Sequence, residues 1–225
     1  MSKNLNYLKN SDSYGWGVES AKLDTERVNL LKKFVVGKKV LDVGCGSGLY
    51  VDYLTKQGLN VVGLDFVEEL ISFAKKARAG VFVLGEAQNL PFADKQFDTV
   101  LLFDVLEHED DKKILMEAKR VAKRRILVIV PRIVDQELAQ SGVVFRHYID
   151  KSHLREYEQN NMIELADRLD LKAIHIQAVH PLYNETVFMA LFNGPILLKK
   201  VIRKIALLFL PKRKYPTEYF GVFEK

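Results

Sequence analysis

The sequence predicts a doubly wound α/β domain, with helices on both faces of a mostly parallel sheet. Short apolar runs alternate along the chain with amphipathic stretches of helical length, the order that produces βαβ units with right-handed crossovers. At 225 residues and 48% hydrophobic composition the chain can bury one sizeable core, and α/β folds of this size are routinely single units. One strand-like run also ends in three glycines at alternate positions, Gly44, Gly46 and Gly48, which suits a sharp turn from a strand into a helix.

Taken in order, the predicted strands are Val40–Val43, Val61–Leu64, Val81–Leu84, Thr99–Phe103 and Ile126–Val130, mostly rich in β-branched residues. Glu68–Ala77 and Asp111–Ala122 carry apolar residues at helical spacing between them. After Pro131 the rhythm changes: a loop-rich passage runs to Asp150, and a helix is predicted from Ser152 to Leu169. Two more strands are predicted at Ala173–Val179 and Tyr219–Phe223, and no internal repeat or low-complexity tract interrupts the chain.

Composition excludes several classes. The balance of 34 Lys+Arg against 29 Asp+Glu gives +5 and a pI of 9.1, yet the excess is local. The stretch Ala190–Lys214 carries Lys199, Lys200, Arg203, Lys204, Lys212, Arg213 and Lys214 and no acidic residue, while the rest of the chain is close to neutral. A single cysteine, Cys45, excludes a disulfide framework or a cysteine-based zinc cluster and fits a reducing compartment. Met1–Gly17 lacks the apolar core of a signal peptide, and no stretch offers the roughly 18 apolar residues of a membrane span. The expected address is the cytoplasm.

The chemistry concentrates in Val40-Leu-Asp-Val-Gly-Cys-Gly-Ser-Gly48. Ligands of open parallel sheets bind at the carboxyl ends of the strands, where glycines let them approach the backbone. A dinucleotide fingerprint fails here, because its third glycine would fall at Leu49. A phosphate loop fails for want of Gly-Lys-Ser/Thr, and Asp42 would repel a pyrophosphate. Asp42 with Gly44, Gly46 and Gly48 instead resembles the first motif of the class I S-adenosylmethionine-dependent methyltransferases. Asp65 in Val61-Val-Gly-Leu-Asp-Phe66, the loop Gly85-Glu-Ala-Gln-Asn-Leu-Pro-Phe92 and the segment Phe97–His108 resemble that family's next three motifs in order. The resemblance covers about residues 25–130. Glu86 stands where the family more often has Asp, and Ala122-Lys-Arg-Arg125 replaces its usual Pro-Gly-Gly.

The resemblance implies a seven-stranded, mostly parallel sheet with an antiparallel last strand, and S-adenosylmethionine as cofactor, with S-adenosylhomocysteine as product. It implies a cofactor site of Asp42, Gly44, Cys45, Gly46, Gly48, Asp65, Phe66, Glu86, Ala87 and Phe103. Asp65 would take the ribose hydroxyls, Glu86 or Ala87 the adenine, and Phe66 an apolar contact on its ring. The ligand agrees: its hydroxyls, amines and sulfonium all seek acceptors or negative potential. On its own, Asp42 reads equally as a strand-end carboxylate capping nearby amides. The whole of 1–225 is expected to be one domain, with 1–30 as an N-terminal cap, 131–150 as an acceptor-side loop and 190–214 as a basic amphipathic insertion.

Methyl transfer is an in-line displacement, so the protein supplies approach geometry, water exclusion and, for a hydroxyl acceptor, a base. His108, after the fourth strand, and His147, in Phe145-Arg-His-Tyr148, are the candidate bases. The plain alternatives are a structural residue at a helix start and an exposed loop residue. The Asp104-x-x-Glu107-His108 spacing resembles that of quinone-biosynthesis O-methyltransferases that hold a divalent cation there. Glu-His at this place is frequent in relatives without metal too, so no metal ligand is expected. The N/D-P-P-Y/F signature of amine methyltransferases is absent, Phe103-Asp-Val-Leu106 standing instead, which favours a hydroxyl, carboxyl or carbon acceptor.

On a helical projection Val201, Ile202, Ile205, Leu208 and Phe209 fall within about 80° of Leu198, with Lys199, Lys200, Arg203 and Lys204 opposite. Pro195 suits the first turn of this helix and Pro211 ends it. It reads as an ordinary surface helix or, over 196–214, as a contact with an anionic membrane surface or a lipid-linked substrate. Nucleic acid is disfavoured, since Phe209 is its one aromatic. The expected protein is a methyltransferase acting on a small or lipid-linked molecule, at oxygen. An RNA methyltransferase and a cofactor-binding module without catalysis are the alternatives, and oligomeric state leaves no signal.

Overall fold

The structure, a computed structural model, describes residues 22–133, 150, 152–183, 201–202 and 214–225. In chain order the elements are α1 (Thr25–Phe34), β1 (Lys39–Val43), α2 (Leu49–Lys56), β2 (Asn60–Asp65), α3 (Glu68–Ala77), β3 (Val81–Leu84), β4 (Phe97–Phe103), α4 (Asp111–Val121), β5 (Ala122–Pro131), α5 (Gln159–Asp167), β6 (Lys172–Tyr183) and β7 (Lys214–Glu224). The seven strands form one sheet in the order β3-β2-β1-β4-β5-β7-β6. The pairs among β1 to β5 are all parallel, and β7 runs antiparallel to both of its neighbours. The expected sheet is therefore present, and its reversed last strand is an inner one.

Strand periodicity explains the two apolar layers. Along β4, Val100 and Leu102 face the layer holding Ile114, Leu115 and Ala118 of α4 with Met162 and Ala166 of α5. Leu101 and Phe103 face the layer holding Leu30, Leu31 and Phe34 of α1, Val51 and Leu54 of α2, and Ile71 and Ala74 of α3. Alternate residues of a strand point to opposite faces, and a parallel sheet covered on both sides makes both faces apolar. The order reverses at β1, with β2 and β4 on its two sides, and a crevice for ligands forms at such a switch point.

Three boundaries differ from expectation. The predicted helix over Ser152–Leu169 begins only at Gln159. The backbone before it bonds outward instead of to its own preceding turn: Leu154 N donates to Glu107 O at 2.7 Å and Tyr157 N to Pro131 O at 2.9 Å. Glu158 then starts the helix through a capping box with Asn161. At the missing Pro-Gly-Gly, α4 ends at Val121 and β5 begins at Ala122 with no loop between them, and a register irregularity between Phe97 and Thr99 absorbs the change. β6 and β7 also extend well beyond the apolar runs that announced them. Among the described residues, no helix is long and apolar enough to cross a membrane.

Candidate functional site

The turn after β1 places Gly44, Gly46 and Gly48 at φ 73°, 53° and 77°, left-handed values that strain any other residue. At Gly48 a Cβ would lie 2.5 Å from Cε1 of Phe82, so glycine lets α2 start against β3. At Gly46 a Cβ would meet nothing within 4 Å; here the bare backbone faces the side from which a ligand approaches. Cys45 lies half-buried in the same turn, and burial, with Asp42 and Asp65, pushes its thiol well above the usual range.

Two carboxyls back this turn. Asp42, in β1, and Asp65, at the end of β2, are 4% and 6% exposed. Burial and then the charge of Asp65 push the Asp42 carboxyl up to about 7, against the pull of Arg27. Burial also raises Asp65, despite its amide donors. Asp65 performs the capping considered for Asp42: Oδ2 accepts from Gly46 N at 2.8 Å and Oδ1 from Val67 N at 2.9 Å. One side chain thus shapes the glycine turn and the start of α3. Phe66 follows it, half-buried.

The predicted adenine loop lies beyond β3, with Glu86 exposed and Ala87 packed on the core. Its fixing point is a residue that sequence reasoning missed. Arg120 of α4 donates to Phe92 O at 2.7 Å and Leu90 O at 2.9 Å, while Glu117 accepts from Leu90 N at 2.9 Å. An Arg120→Ala protein is expected to bind S-adenosylhomocysteine about tenfold more weakly, the indirect cost of a loop that loses its two Arg120 hydrogen bonds, which touch no ligand themselves. Calorimetric titration checks this; unchanged affinity would show that the loop does not need the clamp.

Beyond β4 the chain turns through Asp104 at φ 57°. Its carboxylate accepts from Arg27 of α1 at 2.6 Å, and Arg27 also pairs with Glu218 of β7 at 3.1 Å. The Arg27 guanidinium carbon lies 5.9 Å from the centroid of the Phe103 ring, and Phe103 itself is buried against Tyr50 and Phe220. A cation from α1 thus stands at the end of β4, close enough to pull on Asp42. Sequence reasoning missed both the helix that Asp24 caps and this ion pair, which spans 77 residues.

His108 occupies the next turn, half-buried. Its Nδ1 lies 3.1 Å from Ser152 Oγ and 3.3 Å from Ser152 O, and that hydroxyl donates to Asp150 Oδ1 at 2.6 Å. Both neighbours of Nδ1 are therefore acceptors, which puts the proton on Nδ1 and the lone pair on Nε2. Burial and then His153 lower the pKa of His108, so the ring is neutral at neutral pH. Arg155 secures this arrangement from the docked segment by donating to Leu106 O and Glu109 O.

Glu107, His108 and His153 bring one ligand atom each within 4.8 Å of one another. Two imidazoles and a carboxylate suit zinc, manganese or iron better than magnesium or calcium. Burial and then Asp104 hold the Glu107 carboxyl well above the usual range, which opposes the ionised form a metal needs. Asp104, first in the D-x-x-E-H spacing, is absent from the group because it pairs with Arg27. His147 lies outside the described residues, as do most of 131–150 and of 190–214, where Val201 and Ile202 are helical and Lys214 opens β7.

A sheet of this order, with acidic strand ends around a left-handed glycine turn, defines the Rossmann-like fold of the class I methyltransferases. A family profile described as a methyltransferase domain matches residues 41–130. The chain is 32% identical over 117 residues to a demethylmenaquinone methyltransferase of Thermotoga maritima, covering 50% of this chain and 51% of that protein. It is 32% identical over 186 residues to an uncharacterised protein of Methanocaldococcus jannaschii, covering 79% and 73%. The crystal structure of a methyltransferase of Archaeoglobus fulgidus that depends on S-adenosylmethionine superposes with a TM-score of 0.65 over 98% of this chain and 99% of that one, at 19% identity. Residues 41–130 thus carry a methyltransferase domain on the Rossmann-like fold of these enzymes, and the chain spans about half the length of the first curated relatives it matches.

Proposed function

We propose that the protein transfers a methyl group from S-adenosylmethionine to a small or lipid-linked acceptor, at oxygen. The supporting observation is the Asp42–Asp65 pair, two buried carboxyls backing a glycine turn whose backbone is open on one side. Their ionised forms are held back by burial and, at Asp42, by repulsion. A ligand bringing hydroxyl donors and positive charge relieves both penalties. When bound, the cofactor supplies a methyl carbon already activated by its sulfonium.

The chain's own residues do the rest. Asp65 accepts from the ribose hydroxyls, Phe66 covers the ring, and Glu86 with the backbone at Ala87 meets the adenine amine. Arg27 supplies the cation for the amino-acid carboxylate, and Phe103 closes the inner wall against water. His108 takes the acceptor's proton at Nε2, its Nδ1–H held by Ser152. A quinone-linked acceptor is compatible with the Thermotoga maritima relative named for demethylmenaquinone, and the basic segment 196–214 gives a lipid-linked acceptor or an anionic membrane surface its complement.

Incubation with methyl-labelled cofactor and separate pools of quinols, lipids, small hydroxylated metabolites and RNA tests the reading. Label in a hydroxylated small molecule or lipid is the expected result. Label in RNA would overturn the acceptor class, and cofactor binding without turnover on any pool would favour the non-catalytic module. A His108→Ala protein should lose about 100- to 10,000-fold in kcat, the usual worth of a general base, with little change in KM. Because its pKa is lowered, wild-type kcat should hold through neutral pH and fall only below the ordinary histidine range. A kcat within threefold of wild type would remove His108 from the chemistry.

A further inference from the structure

We propose that His180 is a positioning residue for the cofactor site: it bolts the start of α1 to the β6–β7 pair and thereby holds Arg27 against the ends of β1 and β4. The inference rests on reading that end of the sheet as the S-adenosylmethionine site. It extends that reading to a residue on the far edge strand, which no motif singles out.

The geometry is a relay of ion pairs. His180 Nδ1 lies 2.5 Å from Glu218 Oε2 on β7, and Nε2 lies 3.0 Å from Oδ1 of Asp24, the N-cap of α1. Its backbone N–H donates to Glu26 Oε2 at 2.9 Å, and its carbonyl accepts from Thr217 Oγ1 at 3.0 Å. Both ring nitrogens face carboxylate oxygens, so both carry hydrogen and the ring is an imidazolium. The Glu218 oxygen that meets His180 also accepts from Arg27, whose other arm reaches Asp104. The relay therefore runs His180–Glu218–Arg27–Asp104, from β6 to the turn after β4.

Two features exceed what packing alone requires. His180 and Asp104, the two ends of the relay, hold φ 51° and 57°, left-handed values that non-glycine residues sustain only where surroundings over-determine them, commonly at functional sites. A partly buried ion network also gains little stability over apolar packing, and β6 is already joined to β7 along nearly its whole length. What the relay adds is a fixed place for a cation. Asp24, Glu26, Glu218 and Asp104 face Arg27 and His180, and loss of the His180 charge would leave Arg27 alone among four carboxylates.

The pH at which this happens is set by opposing causes. Burial favours the neutral ring, but the hydrogen bond and charge of Glu218, then Asp24, outweigh it and raise His180 to about 9. Burial likewise works against ionised Glu218, yet Arg27 and His180 bring it down to about 2. A raised histidine contributes fully below its unfolded value of about 6.5 and loses its contribution as pH rises through about 9.

The test is calorimetric titration of S-adenosylhomocysteine into the full chain from pH 7 to 10, with the wild type, His180→Gln and Asp24→Asn. Wild-type affinity is expected to fall as pH passes about 9. At pH 7 His180→Gln should bind about tenfold more weakly, the worth of one charge-assisted hydrogen bond, and should lack that fall. The KM for S-adenosylmethionine should rise to match while kcat stays within about twofold, since the ring touches no reacting atom. Asp24→Asn, which leaves Glu218 in place, should show a smaller loss in the same direction, so the proposal stays testable if His180→Gln fails to fold. A merely structural histidine would lower the melting temperature and leave affinity and its pH profile unchanged, as would an Asp24→Asn protein that binds like wild type; either overturns the proposal. The high-pH fall persisting in His180→Gln overturns it too, by assigning the fall to the ligand's own ammonium group. Wild-type protein that binds no S-adenosylhomocysteine at any pH sinks the cofactor reading itself, and the inference with it.

Discussion

Asp65→Ala is expected to weaken S-adenosylhomocysteine binding by about 100-fold, because two hydrogen bonds from ribose hydroxyls to a charged acceptor, at about 1.5–3 kcal/mol each, disappear together. The same change frees the amides of Gly46 and Val67, which Asp65 now holds at 2.8 and 2.9 Å. The glycine turn should lose definition before any ligand arrives, and the melting temperature should drop even in the free protein. It also removes the charge that helps hold the Asp42 carboxyl up near 7, so Asp42 should titrate lower. Asp65→Asn keeps one acceptor oxygen and should fall between the two. Isothermal calorimetry with a melting curve measures both effects. Binding at wild-type affinity by the folded alanine protein would overturn the ribose assignment.

Phe220→Ala should be the most destabilising single substitution among those considered. Phe220 on β7 is fully buried, and its ring lies 5.3 Å from Phe34 of α1 and 6.5 Å from Phe103 of β4, centroid to centroid. Truncating such a residue costs about 3–5 kcal/mol of transfer and cavity terms, or about 10 °C in melting temperature for a chain of this size. Phe220→Leu should recover more than half of that. A fall of under 3 °C for the alanine protein would mean that the surrounding layer collapses into the gap, and that this packing does not set the place of α1.

The half of the sheet around the glycine turn was legible because its signals are local. Val40–Val43, Val61–Leu64 and Thr99–Phe103 sit inside β1, β2 and β4 as found, since apolar runs between turn residues leave few alternatives. Asp42, Asp65 and the glycines could be placed for the same reason: a strand end and a turn fix them within a few residues. What stayed hidden depends on partners distant in sequence. Ser152–Glu158 has helical spacing, but the amides of Leu154 and Tyr157 are taken by Glu107 and Pro131, and no window along the chain contains that competition. Arg120, which holds the loop after β3, and the bridge from Arg27 to Asp104 were likewise invisible, because a charged residue on a helix reads as solvated until the fold brings its partner. His180 was illegible twice over, by its distant partners and by a left-handed backbone that nothing in Ala173–Val179 announces.

The place of β7 has a kinetic consequence. Strands β1 to β5 assemble from successive βαβ units whose contacts are comparatively local, whereas among the described residues β6 has no strand neighbour except β7, which follows it late in the chain. Until β7 inserts, β5 presents a bare edge whose residues Ile126 to Val130 are apolar, and β6 has no ladder to join. Folding should therefore proceed in two stages, a parallel β1–β5 half that forms early and a slower, high-contact-order closure. The intermediate between them, with two open strand edges, is the species most exposed to aggregation. Because Phe220 and Glu218 on β7 are what α1 packs and pairs against, the first helix of the described chain would settle among the last.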